Sequence, residues 1–344
     1  MWRGGRLLLA CLLAGLPGSA APKDVMPEVA EAARLYAPFA GPVAWEGALD
    51  IEAADAIAYA SPDRILVGTV SVTSRTGVPE HGPLLAIDAQ TGRQVWSAPR
   101  PALSGGRFIL APRGPLVAWM GQDDRSAELQ VLDAGTGAKR WGVRARAPVE
   151  ALLLESQVLL LAERSLRAFE LGTGSLLWQH PLPAEIPASV QPSSLGTGHG
   201  LALITAGDRL LAIRLADGQR AWMLERPEMP AWLALPSGFA VWSSGSATIV
   251  EATGGGTRWE HRLPEGRTCA TVTAEGGSVF LVSDGPAMAD DTLEAFDEGS
   301  GKRRWSVPLK DEAAGVPAVV GGLVCLSCDG SLVAVRRTDG VQAF

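Results

Sequence analysis

Apolar and polar residues alternate in short runs along most of this chain, and each run ends at a turn signal. The stretch Leu84 to Trp96, LLAIDAQTGRQVW, shows the unit: an alternating segment, an acidic residue, a Thr-Gly pair, and a tryptophan four residues beyond the glycine. The same shape returns as LQVLDAGTGAKRW and LRAFELGTGSLLW. Alternation with a period of two predicts strands buried on one face. Aligned on the aromatic, Trp96, Trp141, Trp178, Trp222, Trp259 and Trp305 are followed by Phe344 in a seventh slot, at spacings of 37 to 46 residues. Four residues before each aromatic stand Gly92, Gly137, Gly174, Gly218, Gly255, Gly301 and Gly340. Eight before it come Asp88, Asp133, Glu170, Arg214, Glu251, Asp297 and Arg336, and twelve before it an apolar residue that is leucine in six of the seven copies.

Each position has a physical reason. The glycine supplies the positive φ of a tight hairpin between two strands. The aromatic just inside the second of those strands offers about 200 Å² for burial against a neighbouring unit, which makes it the lock between units. Upstream of each hairpin lie two more short apolar runs, such as VEALLLE and QVLLLAE before LRAFELGTG. Four strands in about 40 residues is the content of one propeller blade.

The pattern Ala-x-Asp-x-x-Thr-Gly-x-x-x-Trp is complete in AIDAQTGRQVW, Ala86 to Trp96, and mostly kept in AFDEGSGKRRW. It resembles the tryptophan-docking repeat of the PQQ-like, quinoprotein-type β-propellers, and the resemblance runs from about Ile51 to Phe344. It implies an all-β fold, a seven-bladed β-propeller of four-stranded blades, with an eight-bladed or incomplete ring as the alternative. The segment GPVAWEGALD, Gly41 to Asp50, looks like a stray copy of the docking strand with Trp45 in the aromatic slot. It is expected to complete or flank the seventh blade, because pairing an N-terminal strand there removes open edges. The family includes PQQ-dependent alcohol and glucose dehydrogenases, BamB-type outer-membrane assembly scaffolds and other exported repeat proteins. Membership therefore speaks to fold more than to function.

Composition and charge narrow the setting. Apolar residues make up 47% of the 344 and charged residues 19%, with 40 glycines and 24 prolines, as suits a turn-rich sheet protein. The formal charge of −7, without a Lys/Arg cluster, gives no footprint for nucleic acid. Residues 1–21 read as an export signal: Arg3 and Arg6, an apolar stretch from Leu7 to Leu16, then PGSAA. Its removal would leave a periplasmic or secreted chain of formal charge −9 with no further span-length apolar run. The alternative is an uncleaved anchor. Cys11 follows LLA like a lipoprotein box, but Leu12 and Leu13 continue the apolar run, which argues against lipidation. Residues 22–40, containing PEVAEAARLYAPF, form a helical or irregular lead-in to a single propeller over 41–344.

Candidate chemistry is sparse. In the quinoprotein dehydrogenases, resemblance would imply a quinone, a calcium ion, a catalytic aspartate and often a disulfide between adjacent cysteines. This chain has no adjacent cysteine pair and no calcium-loop pattern, and Asp88, Asp133 and Asp297 occupy a repeated strand position suited to holding a turn. No catalytic, cofactor or metal residue is assigned, and a divergent quinone-dependent oxidoreductase remains the alternative. The four histidines show no metal spacing, GTGHG lacks the helix and lysine of a phosphate loop, and CLSC sits in a strand pattern that favours structural cysteines. What remains is surface. Long connections at Thr73 to Pro83, Gly121 to Glu128, Leu182 to Gly198 and Ser283 to Thr292 are expected on one rim. There Asp123, Asp124, Asp290 and Asp291, with Pro79, Pro286 and Met288, would form the face for a protein partner in the cell envelope. The chain is expected to be monomeric and not transmembrane.

Overall fold

The computed structural model describes residues 53–61, 64–72, 79–99, 108–113, 115–122, 125–146, 149–186, 192–285, 291–309, 313–328 and 331–343. The expected signal, the lead-in over 22–40 and the strand around Trp45 lie outside the described residues. The described residues form seven antiparallel sheets, with no helix among them.

Two compact units divide the chain, Met1–Leu177 and Trp178–Phe344. In the first, sheet 1 contains β1 (Ala53–Ser61), β2 (Arg64–Val72), β3 (Pro79–Asp88) and β4 (Gln94–Ala98). Sheet 2 contains β5 (Phe108–Arg113), β6 (Leu116–Gln122), β7 (Ser126–Asp133) and β8 (Lys139–Arg146). Sheet 3 contains β9 (Glu150–Leu153), β10 (Gln157–Ala162), β11 (Ser165–Glu170) and β12 (Leu176–Pro181), and the unit boundary falls inside β12. The second unit holds sheet 4, of β13 (Pro192–Gly198), β14 (Leu201–Ala206), β15 (Arg209–Arg214) and β16 (Arg220–Glu225). Sheet 5 follows with β17 (Ala231–Leu235), β18 (Gly238–Ser243), β19 (Ser246–Val250) and β20 (Thr257–Arg262). Sheet 6 has β21 (Thr268–Glu275), β22 (Ser278–Asp284), β23 (Thr292–Asp297) and β24 (Arg303–Pro308). Sheet 7 has β25 (Ala313–Val320), β26 (Leu323–Cys328) and β27 (Ser331–Arg336). Strand order in every sheet follows sequence order, so each is a simple meander.

The burial pattern explains why the inner strands read as continuous apolar runs. All six residues of β14, LALITA, are buried, and five of six in β10, QVLLLA; Val158 and Leu160 of β10 pack with sheet 2, and Leu201 and Leu203 of β14 with sheet 5. The fourth strands β12 and β20 instead show the alternation of an edge with one wet face. Inter-sheet cores form within each unit: Leu66, Leu84 and Trp96 of sheet 1 pack with Val117, Trp119 and Leu132 of sheet 2. In the second unit Phe280 and Trp305 of sheet 6 pack with Val324 and Leu326 of sheet 7.

Sheet 7 has three strands among the described residues, and Gly41 to Asp50, expected to complete or flank it, lies outside them. Beyond β27 the described chain makes only an isolated bridge between Val335 and Gln342, too few hydrogen bonds for a fourth strand. Its leucine twelve residues before the aromatic slot, Leu332, is 59% exposed, whereas Leu84, Leu166, Leu210 and Leu293 in the same slot are fully buried.

Candidate functional site

The recurring constellation is the hairpin between third and fourth strands. Asp88 N–H donates to the Arg93 carbonyl and Gly92 N–H to the Asp88 carbonyl, both at 2.9 Å, and the same pair of bonds recurs at Asp133, Glu170, Arg214, Glu251, Asp297 and Arg336. The seven glycines take φ between 69° and 74°. Just past the turn, five of these hairpins carry a register shift at the same point, at Ala86/Ile87, Val131/Leu132, Ala212/Ile213, Ile249/Val250 and Ala295/Phe296. A bulge there re-aims the strand immediately before the tryptophan.

Each indole then reaches the next sheet. Trp96 Nε1–H donates to the Ala134 carbonyl at 2.9 Å and Trp141 to Leu171 at 2.7 Å in the first unit. In the second, Trp178, Trp222, Trp259 and Trp305 donate to the carbonyls of Leu215, Ala252, Glu298 and Arg337 at 2.8–2.9 Å. Every acceptor lies in the turn that holds the next repeat glycine, and that glycine lies against the indole. A methyl group at Gly301 would come within 2.6 Å of Trp259 Cγ. Truncating one such tryptophan is expected to cost about 3–5 kcal/mol. Trp45 and Phe344 lie outside the described residues.

The repeated carboxylates hold these turns. Asp88 Oδ1 accepts from Gln90 N–H, Thr91 N–H and Thr91 Oγ1 at 3.1, 2.8 and 2.9 Å, and Asp133 does the same with Gly135 and Thr136. Asp297 accepts from Arg304 and from Ser300, and these contacts hold its carboxyl down to about 2. Where the repeat has arginine in this slot, the carboxylate has moved to the residue before the glycine. Arg214 is bidentate to Asp217 (Nε–Oδ1 3.1 Å, Nη2–Oδ2 2.9 Å), and Arg336 grips Asp339 in the same way. The exchange preserves one carboxylate per hairpin, which explains a departure from the motif that looks like decay in the sequence.

The expected rim residues fall mostly outside the described residues: Asp123, Asp124, Pro286, Met288 and Asp290 do so, and Pro79 opens β3. The connections at 73–78, 123–124 and 286–290 do lie between second and third strands of sheets 1, 2 and 6. They are shorter than the sequence suggested. Gly121 and Gln122 pair with Glu128 and Ala127, so the strand pair extends into the expected loop, and Pro192–Gly198 of the fourth connection is strand β13. Asp291 departs from its expected role as a partner-facing charge. It is 2% exposed, and its carboxylate accepts from Gly285 N–H at 3.2 Å and from Ala313 N–H at 2.9 Å, tying sheet 6 to the first strand of sheet 7.

Two buried carboxylates had no sequence signal. Glu128 meets Lys139 at 3.2 Å, Arg144 at 2.9 Å and Gln130 at 2.9 Å. Glu294 meets Arg303 at 2.8 Å and His261 at 3.3 Å. Burial works to raise both carboxyls, but these contacts outweigh it and hold them below the usual range. Such residues were legible only as polar positions on an otherwise apolar strand. Of the cysteines, Cys269 and Cys328 are buried and Cys325 is half-buried, none of the three in a disulfide, with Cys325 and Cys328 three apart on β26 and hence on opposite faces.

The calcium and quinone chemistry of some family members needs converging carboxylates, and the described residues do not fit it. Among them no group of three or more His, Cys, Asp or Glu side chains stands together that could hold a metal ion, and the repeat-position aspartates Asp88, Asp133 and Asp297 are each engaged by their own turns.

A family model described as "Outer membrane protein assembly factor BamB" matches residues 80–234 and 227–343. Comparison with curated proteins finds no match. Among solved structures, BamB from Moraxella catarrhalis is 16% identical with a TM-score of 0.53, the match covering 84% of this chain and 86% of that one. The computationally designed Ika8 protein is 14% identical with a TM-score of 0.57, over 85% and 86%. A europium-containing methanol dehydrogenase is 11% identical with a TM-score of 0.52, over 85% and 78%. At these identities the structural likeness speaks to fold alone.

Proposed function

We propose, from the premise that this chain belongs to the family described as outer membrane protein assembly factor BamB, that it is an exported, non-catalytic binding platform serving protein assembly in the cell envelope. The observation that carries this reading is the fate of the repeat-position aspartates. A quinoprotein-type reaction needs a free carboxylate, and Asp88, Asp133 and Asp297 are each engaged by their own hairpin turn. The platform is a monomeric seven-bladed ring, with Gly41 to Asp50 completing or flanking the last blade and residues 1–21 directing export to the periplasm or beyond. Its binding face is the rim carrying Asp123, Asp124, Pro79, Pro286, Met288 and Asp290, which suits a basic partner with some apolar surface. Asp291 belongs to the scaffold beneath that face rather than to the face itself.

The experiment that separates this from a divergent oxidoreductase is a titration of the purified protein with pyrroloquinoline quinone and calcium, followed by absorbance and by dye reduction with simple alcohols. The platform reading expects neither stoichiometric uptake nor turnover. Saturable one-to-one uptake with alcohol-dependent dye reduction would replace it with the enzyme reading.

A further inference from the structure

No long run of Lys or Arg stands out along the chain, whose formal charge is −7, yet one strand is strongly basic. Outer strand β8 of sheet 2, KRWGVRAR, carries Lys139, Arg140, Arg144 and Arg146 and no acidic residue. Other outer strands differ. Neither β4, QVWSA, nor β12, LLWQHP, has a Lys, Arg, Asp or Glu, although Leu176 and Leu177 of β12 are 53% and 51% exposed. Charge is therefore not this chain's general means of guarding its sheet edges, and its concentration on β8 calls for another reason.

The cations of β8 outnumber the carboxylates that reach them. Glu128 on β7 takes Lys139 Nζ on one oxygen at 3.2 Å and Arg144 Nε on the other at 2.9 Å, and Asp133 takes Arg140 at 2.7 Å. Glu163, in the turn between β10 and β11 of sheet 3, is shared by Arg146 and Arg167. Five cations thus meet three carboxylates. Gly142 shapes the surface between them: a methyl there would come within 2.8 Å of the Leu129 carbonyl oxygen and 3.0 Å of Lys139 Nζ, so glycine lets the lysine fold back across the strand to Glu128. The Arg144 side chain stays 77% exposed, with Nε on Glu128 and Nη1 and Nη2 left for another acceptor. Beside these side chains the backbone edge is open, because β8 is the last strand of its sheet. Arg146 N–H donates to Glu163 Oε1 at 3.0 Å, so a carboxylate already occupies one rung of this edge. In an antiparallel ladder alternate residues turn their N–H and C=O groups the same way, which aims those of Gly142 and Arg144 outward too.

We infer that the β8 edge is a docking strand for an extended acidic segment of another protein, which pairs with Gly142 and Arg144 and sets carboxylates beside Arg144 and Arg146. Residues directly across two paired strands share a face, so Asp or Glu at every second position of the segment meets the basic face of β8. An apolar segment would leave the excess cations unanswered, and a basic one would be repelled. The surface lies within the first unit and does not depend on the functional reading above.

The test uses the full exported chain and three capped hexapeptides: Glu-Val repeated, its Lys-Val counterpart, and Glu-Pro repeated, which keeps the charge but lacks alternate N–H groups for pairing. Calorimetry should show Glu-Val binding at least about fivefold more tightly than either other peptide, and weakening as salt rises to about 0.5 M. Amide exchange read by mass spectrometry should slow across β8 with that peptide and not across β20. R144Q should weaken binding about two- to fivefold, whereas R262Q, at an arginine of β20 that is 81% exposed, should leave it unchanged. Absence of Glu-Val binding, equal binding of Lys-Val or Glu-Pro, or no slowing across β8 would overturn the docking strand. So would Arg144-dependent binding to phosphatidylglycerol vesicles without uptake of the peptide, which would make β8 a lipid contact. If R144Q fails to fold, the wild-type contrast among peptides and the exchange pattern decide.

Discussion

Replacing Gly301 by alanine combines two penalties that a second glycine allows to be separated. Gly301 has φ of +69°, and a methyl there would lie 2.6 Å from Trp259 Cγ and 2.7 Å from Cδ2. Gly277, in the first hairpin of the same sheet, has φ of +72° with nothing within 4 Å of where its methyl would go. G277A therefore reports the backbone cost alone, about 1–2 kcal/mol for a left-handed residue with a side chain. G301A adds the displacement of a packed indole, about 1–3 kcal/mol for overfilling a core site. The indole cannot yield freely, since its N–H is tied to the Glu298 carbonyl at 2.9 Å in the same turn. At about 2–4 °C per kcal/mol, G277A should lower the melting temperature by about 2–8 °C and G301A by about 4–20 °C. Thermal unfolding followed by circular dichroism reads both, and a cycle with W259A should show the extra cost of G301A shrinking once the indole is gone. If G301A costs no more than G277A, or if its cost is unchanged beside W259A, the glycine is a turn residue only and the lock between sheets has been misread.

Three further outcomes follow from the titrating groups. Asp297, held near 2 by Arg304 and Ser300, stabilises the fold above the ordinary aspartate range and loses that contribution as pH falls towards 2, so the stability gap between wild type and D297N should narrow from pH 6 to pH 2.5 in urea titrations. His180, shifted down chiefly by burial, binds its proton more readily when unfolded. Wild type should therefore lose stability relative to H180Q as pH drops below about 6.5. Half-buried Cys325 should be alkylated in the native protein at pH 8 well before buried Cys328 and Cys269, read by peptide mass spectrometry, and simultaneous labelling of all three would contradict the packing of sheets 5 to 7.

The repeat was legible because its chemistry is local. A turn glycine, a carboxylate four residues before it (one where arginine takes that slot) and an aromatic four residues after it all act within one hairpin, so their spacing survives in sequence. The alternation located the strands for the same reason. What escaped was set by contacts between distant residues. Asp291 sits in an acidic stretch that reads as surface, and only the Gly285 and Ala313 N–H groups reveal it as buried. Glu128 lies in the expected loop Gly121 to Glu128, and its burial follows from Lys139 and Arg144 on the strand beside it. His180 and His261 both stand two residues past a docking tryptophan, but their different surroundings depend on what the next sheet offers: Glu294 opposite His261, Arg220 near His180. Arg214 and Arg336 looked like lost carboxylates until Asp217 and Asp339 were seen to supply them.

The platform reading meets its most direct test in cells. A photo-crosslinking residue placed at position 124 or 290, on the proposed rim, should yield a discrete adduct with one envelope protein, and the same probe at Arg258 on β20 should not. Absence of any rim adduct in an exported, folded chain that takes up quinone and reduces dye would contradict the account.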